Sequence, residues 1–143
     1  WYFYRAELKN TTNTARGDKL KGKNRIQLQV ALGGNNSNNG AFVTAPIQCD
    51  GTKTVTVSFT AATNRAISAN YWIGVTDNGP ITSDWLRDIN KISPHAEGLI
   101  PRSDNVSHSH TFTVTNGQRI MVKVSNTLGE HHLEFADFTY TVE

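Results

Sequence analysis

The alternation of apolar and polar residues from Thr52 to Thr60 constrains this chain more than any other feature. Val55, Val57 and Phe59 fall on one parity; Thr54, Thr56, Ser58 and Thr60 fall on the other. Successive side chains of a strand point to opposite faces, so the pattern describes a strand with one buried and one wetted face, as in antiparallel sheets.

The same period recurs along the chain. Ile26, Leu28, Val30 and Leu32 fall at spacing two, as do Tyr71, Ile73 and Val75. Phe112 and Val114 alternate before Asn116-Gly117, and Ile120, Val122 and Val124 alternate after it. A two-residue Asn-Gly loop would split the apolar set of this last pair across both faces. A three-residue loop, Thr115-Asn116-Gly117, pairs Phe112 with Ile120 and keeps one face apolar, which predicts a bulged hairpin with Gly117 left-handed.

Tyr2 to Leu8 reads as a first strand, Phe42-Val43 begins a short one, and Pro46 to Gly51 turns the chain. The last strand runs from about His132 to Val142. Leu133 and Phe135 share one parity there, and Phe138, Tyr140 and Val142 the other, which requires a bulge near Ala136-Asp137. After Pro80, Thr82 or Ser83 can cap a short helix with Trp85, Ile89 and Ile92 facing the sheet, ended by Pro94. Ser93 to Ser107 reads as an irregular connection. The expected fold is all-β, an antiparallel β-sandwich of about eight to ten strands with one short helix, in a single domain over residues 1–143.

The 143 residues suffice to bury a core without metal or disulfide staples. Hydrophobic residues make up 37% and charged residues 18%, with Thr, Asn, Ser and Gly abundant, a mixture suited to strands joined by tight turns. Cys49 is the single cysteine, which excludes an intrachain disulfide. No run of about twenty apolar residues occurs, and Trp1-Tyr2-Phe3-Tyr4-Arg5 lacks the pattern of a signal peptide. The expectation is a soluble chain, either secreted or cytoplasmic with non-classical release. Asn10, Asn35 and Asn105 stand in N-x-S/T sequons, and Arg16-Gly17-Asp18 reads as a polar turn.

Of the net charge of +2, residues 1–25 carry +5, from seven Lys or Arg against Glu7 and Asp18. No aromatic residue lies within Arg16 to Arg25 to stack a base, so nucleic acid is not an expected partner.

The candidate working surface is Asn70 to Asp88. With Tyr71, Ile73 and Val75 pointing inward, Trp72 falls on the opposite face beside Gly74. It either lines a groove there or is received by a second core layer. Asp77-Asn78-Gly79 has the composition of a tight turn and lacks the further oxygens that a calcium site needs. His108-Ser109-His110 has metal-site spacing, and His131-His132 could complete a set. No carboxylate follows at a suitable distance, so polar strand-edge histidines are expected, with no metal and no cofactor. No Ser sits in a glycine-flanked elbow and Cys49 has no recognisable partner, which leaves nucleophilic catalysis without support. Asp77, Asp84 and Asp88 lie near one another, so a small glycoside hydrolase remains an alternative.

Sugar binding asks for less: an aromatic face and a few groups that hydrogen-bond hydroxyls. Trp72, Asp77, Asn78, Asp88 and Arg102 supply that inventory, with Asn36 from the Gly33 to Gly40 loop, a stretch expected to bury nothing. The expected function is non-catalytic carbohydrate binding, with glycans or glycoproteins as partners and membrane contact only through surface glycans. Single-site affinity of roughly 4–6 kcal/mol favours a homo-oligomer, which gains avidity.

Leu32-Gly33-Gly34-Asn35-Asn36-Ser37-Asn38-Asn39-Gly40, Ile73-Gly74-Val75 and Trp85-Leu86-Arg87-Asp88-Ile89 resemble segments of the fungal fruit-body lectins of the actinoporin-like sandwich fold. The resemblance implies recognition of galactose-, N-acetylgalactosamine- or N-acetylglucosamine-containing glycans, with Asp88, Ile89 and Arg102 at one pocket and the Gly34 to Ser37 loop at another. The chain departs from that family in replacing its Asn-Tyr-x-Arg with Asp77-Asn78-Gly79-Pro80 and its Trp-Cys-Asp with Trp85-Leu86-Arg87-Asp88. The resemblance also implies, as an alternative, a membrane-surface or pore-forming protein. Its contact surface would be Trp1 to Tyr4 beside the basic loop.

Overall fold

The computed structural model describes residues 1–10, 20, 22–30, 39–63, 69–77, 81–82, 86, 95–100, 106–124 and 131–143. Among these are ten strands: β1 (Tyr2–Tyr4), β2 (Ala6–Lys9), β3 (Arg25–Val30), β4 (Ala41–Val43), β5 (Lys53–Thr63), β6 (Ala69–Thr76), β7 (His95–Ile100), β8 (Val106–Val114), β9 (Arg119–Val124) and β10 (His131–Val142). They form two five-stranded sheets, ordered β1-β4-β9-β6-β7 and β2-β3-β10-β5-β8, with every pairing antiparallel. The expected sandwich is observed.

Parity places the core. Val55, Val57 and Phe59 of β5 face Tyr71, Ile73 and Val75 of β6 across the sheets, joined by Phe42, Ile120, Val122, Leu133 and Phe135. The opposite face of β5 carries hydroxyls that meet those of β8: Thr56 with Thr111, Ser58 with Ser109 and Thr60 with Ser107, at 3.3–3.5 Å. In β10 the register shifts between Ala136 and Thr139, and Asp137 adopts a φ of 54°. This is the expected bulge, and it returns Phe138, Tyr140 and Val142 to the core side.

Four readings are corrected. Residues 2–8 are not one strand: Arg5 has a φ of 48°, and the chain crosses there from the edge of the first sheet to the edge of the second. The β8 and β9 strands are not a hairpin. Thr115 to Gln118 carries the chain between sheets as an arch, closed by a Gln118 N–H bond to the Thr115 carbonyl. Gly117 is left-handed as expected, with a φ of 90°. The backbone groups of this arch bond Ile47, whose N–H donates to Gln118 O and whose carbonyl accepts from Gly117 N.

His95 to Ile100 is a strand, although it lies in the stretch read as irregular. Its inward residues Ala96, Gly98 and Ile100 are mostly small, so the alternation is faint. Finally, Asn39 and Gly40 are buried, although the loop containing them was expected to bury nothing. Gly40 bonds Gln29 O through its N–H and Val124 N through its carbonyl, and a Cβ there would lie 2.6 Å from Arg5 O.

Of the expected helix, Leu86 is helical and its N–H donates to Thr82 O, one turn back. Trp85, Ile89 and Ile92 lie outside the described residues.

Candidate functional site

Of the described candidate residues, Trp72 lies on the outer face of the first sheet. Antiparallel pairing aligns Tyr4 with Ala41, Ala41 with Lys123, Lys123 with Trp72, and Trp72 with Glu97. These five form one row across five strands. At about 4.8 Å between neighbouring strands, the rings of Tyr4 and Trp72 are anchored roughly 14 Å apart.

Trp72 lies opposite the main core, as its parity predicts, and is half-buried. One side of the indole packs on a second, smaller cluster of Ala41, Val43, Leu86 and Met121, with Tyr4 and Ile81 at its margin. Its N–H donates to the Glu97 carboxylate across β6 and β7. Contact with a second apolar layer and lateral fixation by an acid hold the ring in one orientation.

Cations stand beside the tyrosines on the same face. The Lys123 ammonium is buried, donates to Asn39 O at 2.9 Å and sits 5.9 Å from the centre of the Tyr4 ring. The Arg119 guanidinium donates to Thr44 O at 2.9 Å and sits 5.4 Å from the centre of the Tyr2 ring. Both distances fall in the range of cation–π attraction. Glu97, Lys123, Arg119, Tyr2 and Tyr4 were not singled out from the sequence. The outward parity of Arg119, Met121 and Lys123 was readable there, but its alignment with Trp72 depends on which strands pair.

Asp77 follows β6, is exposed, and accepts from Gln118 Nε2 at 3.4 Å. Asp77 is five residue steps from Trp72 along an extended chain, about 17 Å, so the two cannot touch one monosaccharide. Asn78, Asp88, Arg102 and Asn36 lie outside the described residues, as does Asp84.

His108 and His110 face inward from β8, the edge strand of the second sheet, and are half-buried. They share the Tyr71 hydroxyl, His108 through Nδ1 at 2.9 Å and His110 through Nε2 at 2.7 Å. A hydroxyl has one proton, so Tyr71 donates to one imidazole and accepts an N–H from the other. Burial pushes the Tyr71 phenol above its usual range and both imidazoles below theirs; for His108 the neighbouring His110 adds to the lowering. Tyr71 reaches this edge by passing Gly98 of β7, where a Cβ would lie 2.1 Å from the phenol carbon Cζ. Among the described residues no group of three or more His, Cys, Asp or Glu is placed to hold a metal.

No protein-family model matches the sequence, and no curated protein does. Solved structures do share the fold. The chain is similar to a CBM4 structure at 16% identity, with a TM-score of 0.56 over 96% of this chain and 78% of that one. It is similar to the CBM22-1 xylan-binding domain of Xyn10C from Paenibacillus barcinonensis at 12% identity, with a TM-score of 0.58 over 96% and 81%. TmCBM61, solved in complex with beta-1,4-galactotriose, is similar at 10% identity, with a TM-score of 0.53 over 100% and 88%. The architecture is thus that of known carbohydrate-binding modules.

Proposed function

We propose that this protein is a non-catalytic carbohydrate-binding domain whose ligand lies against Trp72 on the outer face of the first sheet. The observation that carries the reading is the fixed, partly exposed indole with the exposed Glu97 carboxylate beside it on the next strand. A pyranose presents an apolar face that stacks on such a ring and hydroxyls that bond a flanking carboxylate or amide. The likeness in fold to carbohydrate-binding modules supports the class. Galactose-, N-acetylgalactosamine- and N-acetylglucosamine-containing glycans are the proposed ligands.

A multivalent glycan array, followed by affinity electrophoresis through soluble galactan and xylan, tests the reading. Binding to at least one glycan class is expected, with Trp72→Ala weakening it tenfold or more and Trp72→Phe retaining part of it. Absence of binding across the panel would contradict the proposal.

A further inference from the structure

Four of the five large hydrophobic side chains exposed among the described residues fall within the first eight: Trp1, Tyr2, Phe3 and Leu8, the last 69% exposed. They lie on or beside β1 and β2, the end strands of the two sheets. Because the chain crosses at Arg5, both end strands occupy the same side of the sandwich. An apolar edge whose backbone groups meet no further strand among the described residues is a template for pairing with another strand.

The register says which groups are open. Gln29 N–H donates to Arg5 O, so the bonded positions of β2 toward β3 are Arg5, Glu7 and Lys9. Bonding alternates along an antiparallel pair, so the N–H and C=O of Ala6 and Leu8 point away from β3. The Leu8 side chain borders a cleft of about 470 Å³ between the sheets, whose lining includes Trp1, Ile26, Phe138, Lys23 and Asp137. Glu7 and Lys9 lie on the other face of β2, 2.6 Å apart.

We propose that this side is a two-fold interface between copies of the chain, with β2 pairing antiparallel to β2 of a second copy about Leu8. That centring lets the two Leu8 residues exchange N–H···O bonds and sets Glu7 of each copy opposite Lys9 of the other. Centring on Glu7 or Lys9 would oppose like charges and present groups already bonded to β3. Centring on Ala6 would run the pair into the kink at Arg5. Opposite charges facing across a strand pair are favourable and like charges are not, so the sequence Glu7-Leu8-Lys9 is complementary to itself in one register. The paired leucines close the cleft mouths, and the same axis brings Trp1, Tyr2 and Phe3 of both copies together. Trp72 on β6 lies three strands from β1, away from the contact, so such a dimer carries two Trp72 sites per particle. The interface does not depend on the sugar-binding reading.

Light scattering on the full chain up to about 100 μM, where a micromolar contact is populated, tests the proposal. The wild type should have the mass of a dimer. Leu8→Lys should be monomeric, with a melting temperature that matches the wild type's at concentrations too low to populate the dimer. Glu7→Lys and Lys9→Glu should each weaken the dimer tenfold or more, and the double swap Glu7→Lys/Lys9→Glu should restore it. A monomeric or trimeric wild type, or a dimer indifferent to Leu8→Lys and to both charge reversals, would overturn it. So would monomeric wild type binding phosphatidylserine vesicles through Leu8, which would assign the same edge to a membrane surface.

Discussion

Trp72 illustrates how far single residues can be read. Its face followed from parity with Tyr71, Ile73 and Val75, and both of its expected environments are partly realised, since the ring packs against the Met121 and Leu86 cluster while the residue stays partly exposed. Arg25 and Glu134 were invisible by comparison. They form a fully buried ion pair at 2.6 Å, with the guanidinium also donating to Lys23 O at 2.9 Å. Nothing in an alternating pattern marks a charged residue on the outward parity as buried. Removing one partner leaves a buried charge, so Glu134→Leu alone should destabilise by about 3–5 kcal/mol in urea unfolding, and Arg25→Met/Glu134→Leu should recover most of it. The Tyr71, His108 and His110 cluster predicts a pH dependence. Both imidazoles have folded values below the ordinary 6.5, so the unfolded chain binds more protons in that window. Stability from these groups is complete above about pH 6.5 and falls as pH drops below it. Melting curves from about pH 8 to 5 should show this fall in the wild type, and His108→Gln/His110→Gln should flatten it.

At the scale of elements, Gly98 gives the sharpest test. A methyl group there meets Tyr71 Cζ at 2.1 Å and Cε1 at 2.4 Å, so either the fully buried Tyr71 ring or the edge strand β7 must shift. Gly98→Ala should therefore cost about 1–3 kcal/mol or more by denaturant unfolding, and Tyr71→Leu in the same chain should relieve much of that added cost. Strands with strong alternation were legible: β3, β5, β6, β9 and the bulged β10. Partnership was not, because Phe112 to Val114 and Ile120 to Val124 point into one core whether they pair in a hairpin or face each other across an arch. The bonds that decide between these run to Ile47, far along the chain. For the same reason Arg5 was read through as strand, since its break is a backbone event with no mark in hydropathy. β7 was missed because Gly98, which makes room for Tyr71, also erases the apolar signal.

For the whole molecule, two stacked sheets leave two outer faces with different chemistry. The second sheet shows a ladder of serine and threonine hydroxyls, whereas the first shows Tyr2, Tyr4, Trp72 and Glu97 around a buried centre of Ala41, Met121 and Lys123. The class of fold was legible in the sequence. Of the proposed site, Trp72 was legible alone, because its companions join it only through strand order. The proposed ligand is a glycan lying against Trp72 on that first face. A proton–nitrogen correlation titration of the labelled protein with beta-1,4-galactotriose and with an oligomer of N-acetylglucosamine tests it directly. One of these sugars is expected to shift one of the three indole N–H signals, the one absent in Trp72→Phe, together with amides of β6, β7 and β9. Shifts confined to the hydroxyl ladder of the second sheet, or none with either sugar at millimolar concentration, would contradict it.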